Sequence, residues 1–333
     1  MVPHKDIRTF VAIFMIIGVF GNVNVIVAIA RKKILRTKNL MFVLFLSIGH
    51  LGCNISELIS VVMQYRSTPM SRRNCYNYNI IYSFFWVFQS SLYLIIAHDL
   101  CFSVVLPLKH KIWNKSRYVL AMLTFPITFS IFLNILGTYK LSDEIEPFCI
   151  FVVSPDPSVY RILISLIVVC NMTTLIIIII SVCIALNKSK SMGRSRHSKS
   201  SKTGSFKKEK NKVFRSTFFM VIIHMGSWIF ATCTFKILVS ITNEENTIDL
   251  LCYLNLIVLP NFCQTYFVFY FRSPRLRKAF QEQLNWMSYG KLFPTIFKNH
   301  KKRVKPVQSC NNNHNESKKL LELETSIKLP EYF

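Results

Sequence analysis

The sequence predicts an all-α membrane protein: a seven-transmembrane helix bundle with its N-terminus outside and a short amphipathic helix after the seventh span. Three observations predict it. Apolar residues arrive in long uncharged blocks rather than in alternation, only nine glycines punctuate 333 residues, and 33 of the 41 Lys and Arg fall on one side of the blocks. A soluble chain of this length would divide into domains with alternating patterns and Gly/Pro-rich turns.

The first span is expected at residues 9–30, "TFVAIFMIIGVFGNVNVIVAIA", which contains no charge. About 20 apolar residues cross a bilayer core. The run is too long for a cleaved signal peptide, and a charged segment and a second apolar run follow directly, so residues 1–8 read as an extracellular N-terminus. Further spans are expected at 39–63, 76–105, 118–139, 162–187, 213–241 and 248–271, the fourth and fifth again without charge. Together residues 9–271 make one membrane domain with no soluble core.

Charge sets the orientation. With seven spans, the loops at 31–38, 107–117 and 188–215 and the tail from 272 share one side and hold 33 of the 41 Lys and Arg. Basic residues stay cytoplasmic during insertion, which places the tail inside and the N-terminus outside. The outer face balances eight bases with eight acids, so the net charge of +25 is mostly topology and does not call for a nucleic-acid partner. Glycosylation sequons occur at Asn54, Asn114, Asn171, Asn187 and Asn315, each in a span or on the inner side, so no N-glycan is expected.

Two inner segments have their own character. Residues 188–212 are rich in Lys, Arg and Ser without apolar periodicity, and read as a disordered loop. Such a loop is drawn to anionic inner-leaflet lipids by ~1 kcal/mol per charge near the surface, an attraction that serine phosphorylation would weaken. Alternatively it is an orientation signal and nothing more. Residues 273–288 read as an amphipathic helix on the membrane surface: Ser273 as N-cap, Pro274 in the first turn, and Leu276, Phe280, Leu284 and Met287 on one apolar face. Residues 289–333 read as a flexible cytoplasmic tail.

Particular residues give the plan a resemblance. Gly21-Asn22 in "GVFGNV", Cys75 at the head of the third span, Cys149 in "EPFCIFVV", Asp99, and Pro107 eight residues later resemble the rhodopsin-like G protein-coupled receptors. More narrowly, "KKILRTKNL" (32–40), "HLGCNISE" (50–57), "CYNYNIIYSFFWVFQ" (75–89) and "FVFYFRSPRLRKAF" (267–280) resemble the nematode serpentine chemoreceptors of class SX, over roughly residues 10–285. The resemblance implies a plasma-membrane chemosensory receptor, in a sensory neuron, that binds a small molecule and signals to a heterotrimeric G protein. It also implies a Cys75–Cys149 disulfide on the oxidising outer side.

The motifs depart from that family at switch positions. The arginine of its Asp-Arg-Tyr motif falls on Leu100, beside Asp99. Its second-span aspartate, the core of an inner sodium site, falls on His50, which would not hold Na⁺ as a carboxylate does. Its Asn-Pro-X-X-Tyr falls on "TYFVF", so that Thr265 and Phe269 stand at the two ends, with Pro260-Asn261 too early by that count. The fifth and sixth spans hold no proline to kink them. Either activation runs through an altered network or the receptor signals poorly.

Polar residues in hydrocarbon are expensive and usually paired or functional. Asp99 is expected near the headgroups, paired with a lysine or a Ser/Thr of the second inner loop; the sharper alternative is a protonation switch. His50, Cys53 and Glu57 share one helix face, but two turns span about 10 Å, too far for His50 and Glu57 to share one ion. Glu57 is either a ligand counter-ion or the partner of an inner polar group. Tyr82 stands seven residues after Cys75, where amine receptors carry an aspartate, which argues against a monoamine ligand. By the resemblance the pocket is lined by Tyr82, Phe85, Trp86 and Gln89, by His224, Trp228 and Lys236, and by Tyr253 and Asn255; the alternative for each aromatic is packing between helices. Cys53, Cys101, Cys170, Cys183, Cys233, Cys252 and Cys263 read as core residues, and Cys310 is cytoplasmic. No metal or cofactor is expected.

Other classes fit less well. A neuropeptide receptor would carry more outer surface than this short N-terminus and second outer loop. A transporter would show repeated halves or Gly/Pro-broken helices, and an enzyme a nucleotide loop, a metal motif or a nucleophile–base pair. None is present in the sequence.

Overall fold

In hydrocarbon an apolar run satisfies its backbone only as a helix or a closed barrel, and here the runs are helical. The computed structural model describes residues 5–66, 69–146, 149, 151, 154–193, 204–241, 256 and 258–287. In chain order these form α1 (Lys5–Arg31), a 3-10 turn (Lys33–Leu35), α2 (Lys38–Arg66), β1 (Met70–Ser71), α3 (Arg72–Val105), α4 (Pro107–Ile112), α5 (Lys115–Gly137), β2 (Ile145–Glu146), α6 (Pro157–Gly193), α7 (Gly204–Ile241), α8 (Pro260–Arg272) and α9 (Pro274–Met287). Met1–Leu284 forms one compact unit and Asn285–Phe333 a second.

Five of these helices, α1, α2, α3, α5 and α6, are long and apolar enough to cross a membrane. The sixth expected span lies on α7, whose described apolar stretch is Arg215–Ala231. Only the second half of the seventh is described, in α8; Cys252, Tyr253 and Asn255 lie outside the described residues. Among the described spans α3 is the central one: its apolar window is 78% buried, against 33% for α5 and α6. Ile16, Phe132, Ile135 and Val169 are exposed on the outer helices, as lipid-facing residues are.

Helix ends differ from the expected spans. α3 begins at Arg72, four residues early, where Ser71 caps it by accepting the Asn74 N–H at 3.4 Å. α6 runs to Gly193 and α7 starts at Gly204, so helix occupies most of the segment expected to be disordered; residues 194–203 lie outside the described ones. Hydropathy reports where hydrocarbon ends, and helices project beyond it. Between α8 and α9, Ser273 has extended backbone and its carbonyl accepts from Arg277 N–H at 2.9 Å, with Pro274 in the first turn of α9. Leu276 and Phe280 are fully buried, Leu284 is partly buried, and the Met287 side chain lies outside the described residues.

Two glycines mark close approaches. A Cβ on Gly21 would lie 2.8 Å from the Cβ of Tyr266, which is how near α8 comes to α1. A Cβ on Gly137 would overlap the Tyr76 hydroxyl, which donates instead to the Asn134 carbonyl at 3.0 Å and locks α3 to α5. Between α2 and α3, β1 pairs antiparallel with β2, Met70 opposite Glu146. Arg72 and Arg73 reinforce the ribbon by reaching Glu144 at 3.2 Å and Asp143 at 3.0 Å.

Candidate ligand pocket and switch core

The outer site is built downward from a tether. Cys75, in the first turn of α3, is disulfide-bonded to Cys149, with Cα atoms 5.4 Å apart. Two residues on, Phe151 turns its ring onto Tyr82 and Trp86, both at 5.2 Å, and lies 6.3 Å from Tyr160 of α6. Trp86 meets Trp228 of α7 at 5.7 Å. Four elements thus converge on one aromatic cluster, which brings together three of the pocket candidates, Tyr82, Trp86 and Trp228. Phe151 and Tyr160 were missed. The available signal was position: Phe151 follows the tethered cysteine by two residues.

The remaining pocket candidates divide. Glu57 lies within electrostatic reach of Tyr82 and Cys53. Gln89 is buried, and its Oε1 has no hydrogen-bond partner. Phe85 packs over Gly52 of α2, contacts the Phe84 ring at 5.4 Å, and lines an open groove of about 380 Å³ between α3 and α5 with Ile81 and Ile131. It is not in ring contact with the Trp86 cluster. The Lys236 side chain, Tyr253 and Asn255 lie outside the described residues.

Below the tryptophans a polar column crosses the bundle. Trp228 is 6.3 Å from His224, one turn inward on α7, and His224 stacks on Tyr93 at 3.7 Å. Gln264 Nε2 donates to the Tyr93 hydroxyl at 3.0 Å, and Ser227 and Asn261 exchange hydrogen bonds at 2.9 and 2.6 Å. Tyr93 also faces His50, ring centroids 6.3 Å apart. His50 Nδ1 meets Thr265 Oγ1 at 3.2 Å, so two of the altered switch positions are in direct contact.

Asn22 does not turn to His50. Its Nδ2 donates to the Phe262 carbonyl at 2.7 Å, and Asn54 Nδ2 approaches the same carbonyl at 3.5 Å. Among the described residues several buried atoms here have no hydrogen-bond partner: His50 Nε2, both His224 ring nitrogens, Gln264 Oε1, and the Oδ1 atoms of Asn22 and Asn54. Each such atom costs about 1–3 kcal/mol if it stays unsatisfied. Tyr93 and Gln264 were missed, although Trp86 and Tyr93 are seven apart and share a helix face.

At the inner end Asp99 is 1% exposed and takes its ion-pair contact from His110 of α4, Oδ1 to Nε2 at 2.8 Å. A lysine or a Ser/Thr hydroxyl was expected as the partner of Asp99, and the structure places the His110 imidazole there instead. Pro107 at the first turn of α4 sets that geometry. Leu100 is 2% exposed and packs in the inner core with Ile96, Met220 and Phe269. His98 turns aside, its Nδ1 at 2.9 Å from the Leu94 carbonyl.

Outside the spans, two carboxyls are held below the usual range. Asp156, before α6, is lowered by hydrogen bonds from Ser158, and Glu282 of α9 by its hydrogen bond from Lys32 of the first inner loop. Among the described residues no three His, Cys, Asp or Glu gather as metal ligands do.

The profile of one family, described as serpentine type 7TM GPCR chemoreceptor Srsx, matches residues 15–284. No curated protein matches the chain.

Proposed function

The chain belongs to the serpentine type 7TM GPCR chemoreceptor family Srsx, and from that premise we propose that it binds a small molecule at the Tyr82–Trp86–Trp228 cluster and passes the event to a heterotrimeric G protein. In this reading seven spans cross the plasma membrane, the N-terminus is outside, and α9 lies along the inner surface near anionic lipid. The observation that carries the reading is the unbroken line of rings from Phe151 through Trp86, Trp228 and His224 to Tyr93. It joins an outer site closed by a tethered loop to a polar core next to the inner switch positions. A ligand that binds one arrangement of those rings better than another shifts the bundle between states.

The ligand would be largely apolar and aromatic-compatible, because the site offers ring faces and few charges. The test is a chemical panel on cells expressing the chain, read by G-protein activation at matched surface expression. Trp86→Ala and Trp228→Ala should each shift the half-maximal concentration at least about tenfold, as loss of a buried aromatic anchor does. Phe230→Ala, on the exposed face of α7, should not. Responses that survive both tryptophan substitutions would place the ligand elsewhere.

One observation favours a second reading. Leu100 is sealed into the core where the family's motif carries a cation, which fits a receptor that couples weakly or not at all.

A further inference from the structure

We propose that Asp99 and His110 form a cytoplasmic proton-binding clasp, which holds the second inner loop onto α3 when His110 is protonated and loosens it as the cytosol becomes alkaline. The clasp is a property of this chain's own residues. Its consequence for signalling rests on the receptor reading above.

The argument starts from burial. A carboxylate that is 1% exposed is costly unless it is paired and hydrogen-bonded. Among the described residues the ion-pair partner of Asp99 is His110, itself 9% exposed, and the next residue along α3 is the apolar Leu100. The ionic part of the compensation therefore comes from histidine, the side-chain type whose charge changes near neutrality. An imidazolium gives Asp99 a charge-assisted bond roughly twice as strong as the neutral imidazole does. Proton uptake and clasp closure therefore favour one another, whereas a lysine or arginine in that place would keep the clasp charged at every cytosolic pH.

The surroundings support the assignment. From α5 the Tyr118 ring meets His110 edge-on at 5.6 Å, and its hydroxyl faces the Asp99 carboxylate, a polar neighbour that keeps its proton at every cytosolic pH. From α2 the Lys38 ammonium reaches the His110 carbonyl and lies 5.0 Å from the Tyr118 ring. Lys38 opposes a second positive charge but reaches His110 through its backbone carbonyl, while Asp99 touches the imidazole at 2.8 Å. Lys109 and Lys111 of α4, and Lys115 and Arg117 beyond it, are exposed. On α3, His98 is bonded to the Leu94 carbonyl instead. α4 has only six residues, so releasing its one buried side chain frees the whole turn.

The experiment uses the full-length chain in zwitterionic nanodiscs. Amide hydrogen exchange of the peptide covering 106–113 is measured at about pH 5.5 and about pH 8, which bracket histidine titration, and corrected for the intrinsic pH dependence of exchange. In wild type the corrected exchange should be several-fold slower at the acid value. His110→Gln keeps a neutral donor and should abolish the pH dependence with the fold intact. Asp99→Asn should abolish it too. Equal corrected exchange at both values in wild type, or pH dependence that persists in His110→Gln, overturns the proposal.

A second measurement clamps cytosolic pH and reads basal G-protein activation. It should rise with alkalinisation in wild type and stay flat in His110→Gln. Exchange that responds to pH with a signal that does not leaves the proton site standing and counts against the receptor reading.

Discussion

His50 and Thr265 were each identified by their place in a motif, but their 3.2 Å contact comes from how α2 and α8 pack. A side-chain meeting between residues 215 apart has no local signature, and none was legible in advance. His110 shows another limit. The sequence reading expected a partner for Asp99 in the second inner loop but looked for a lysine or a hydroxyl, and only the helical turn after Pro107 brings the imidazole round to the carboxylate. Small residues are equally silent until packing is known. Gly137→Ala would drive a methyl into the Tyr76 hydroxyl, which is buried and cannot swing away. The overpacking should cost about 1–3 kcal/mol, seen as a lower thermal midpoint of the purified protein. An unchanged midpoint would show that α3 and α5 separate freely.

At the scale of elements, uncharged runs were read correctly as helices because backbone in hydrocarbon has few alternatives. Their ends were less legible: the departures lie at Arg72, Gly193 and Gly204, where the helices run on through polar and basic sequence and hydropathy carries no information. The contact of α9 with the first inner loop could not be read at all, since it rests on Lys32 reaching Glu282. That pair is 34% and 49% exposed, so Lys32→Ala should change stability by less than about 1 kcal/mol, and the difference should fade in high salt. The sign with pH follows from Glu282, whose folded carboxyl is lowered by Lys32. The pair's contribution is present above the ordinary glutamate range and is lost as pH falls through the lowered value. A Lys32→Ala penalty that grows on acidification would refute the pairing.

The whole molecule joins an aromatic cluster around Trp86 and Trp228, a polar column through Tyr93 and His224, and a buried Asp99–His110 pair beside Leu100. Wild type and Leu100→Arg can be compared directly for nucleotide exchange on a panel of G proteins, in reconstituted bilayers without added ligand. If this altered network carries the signal, wild type stimulates exchange above receptor-free membranes on at least one G protein, and Leu100→Arg adds little because activation runs through other contacts. A silent wild type beside an active Leu100→Arg would contradict it, and would mean that the missing arginine has disconnected the receptor from its G protein.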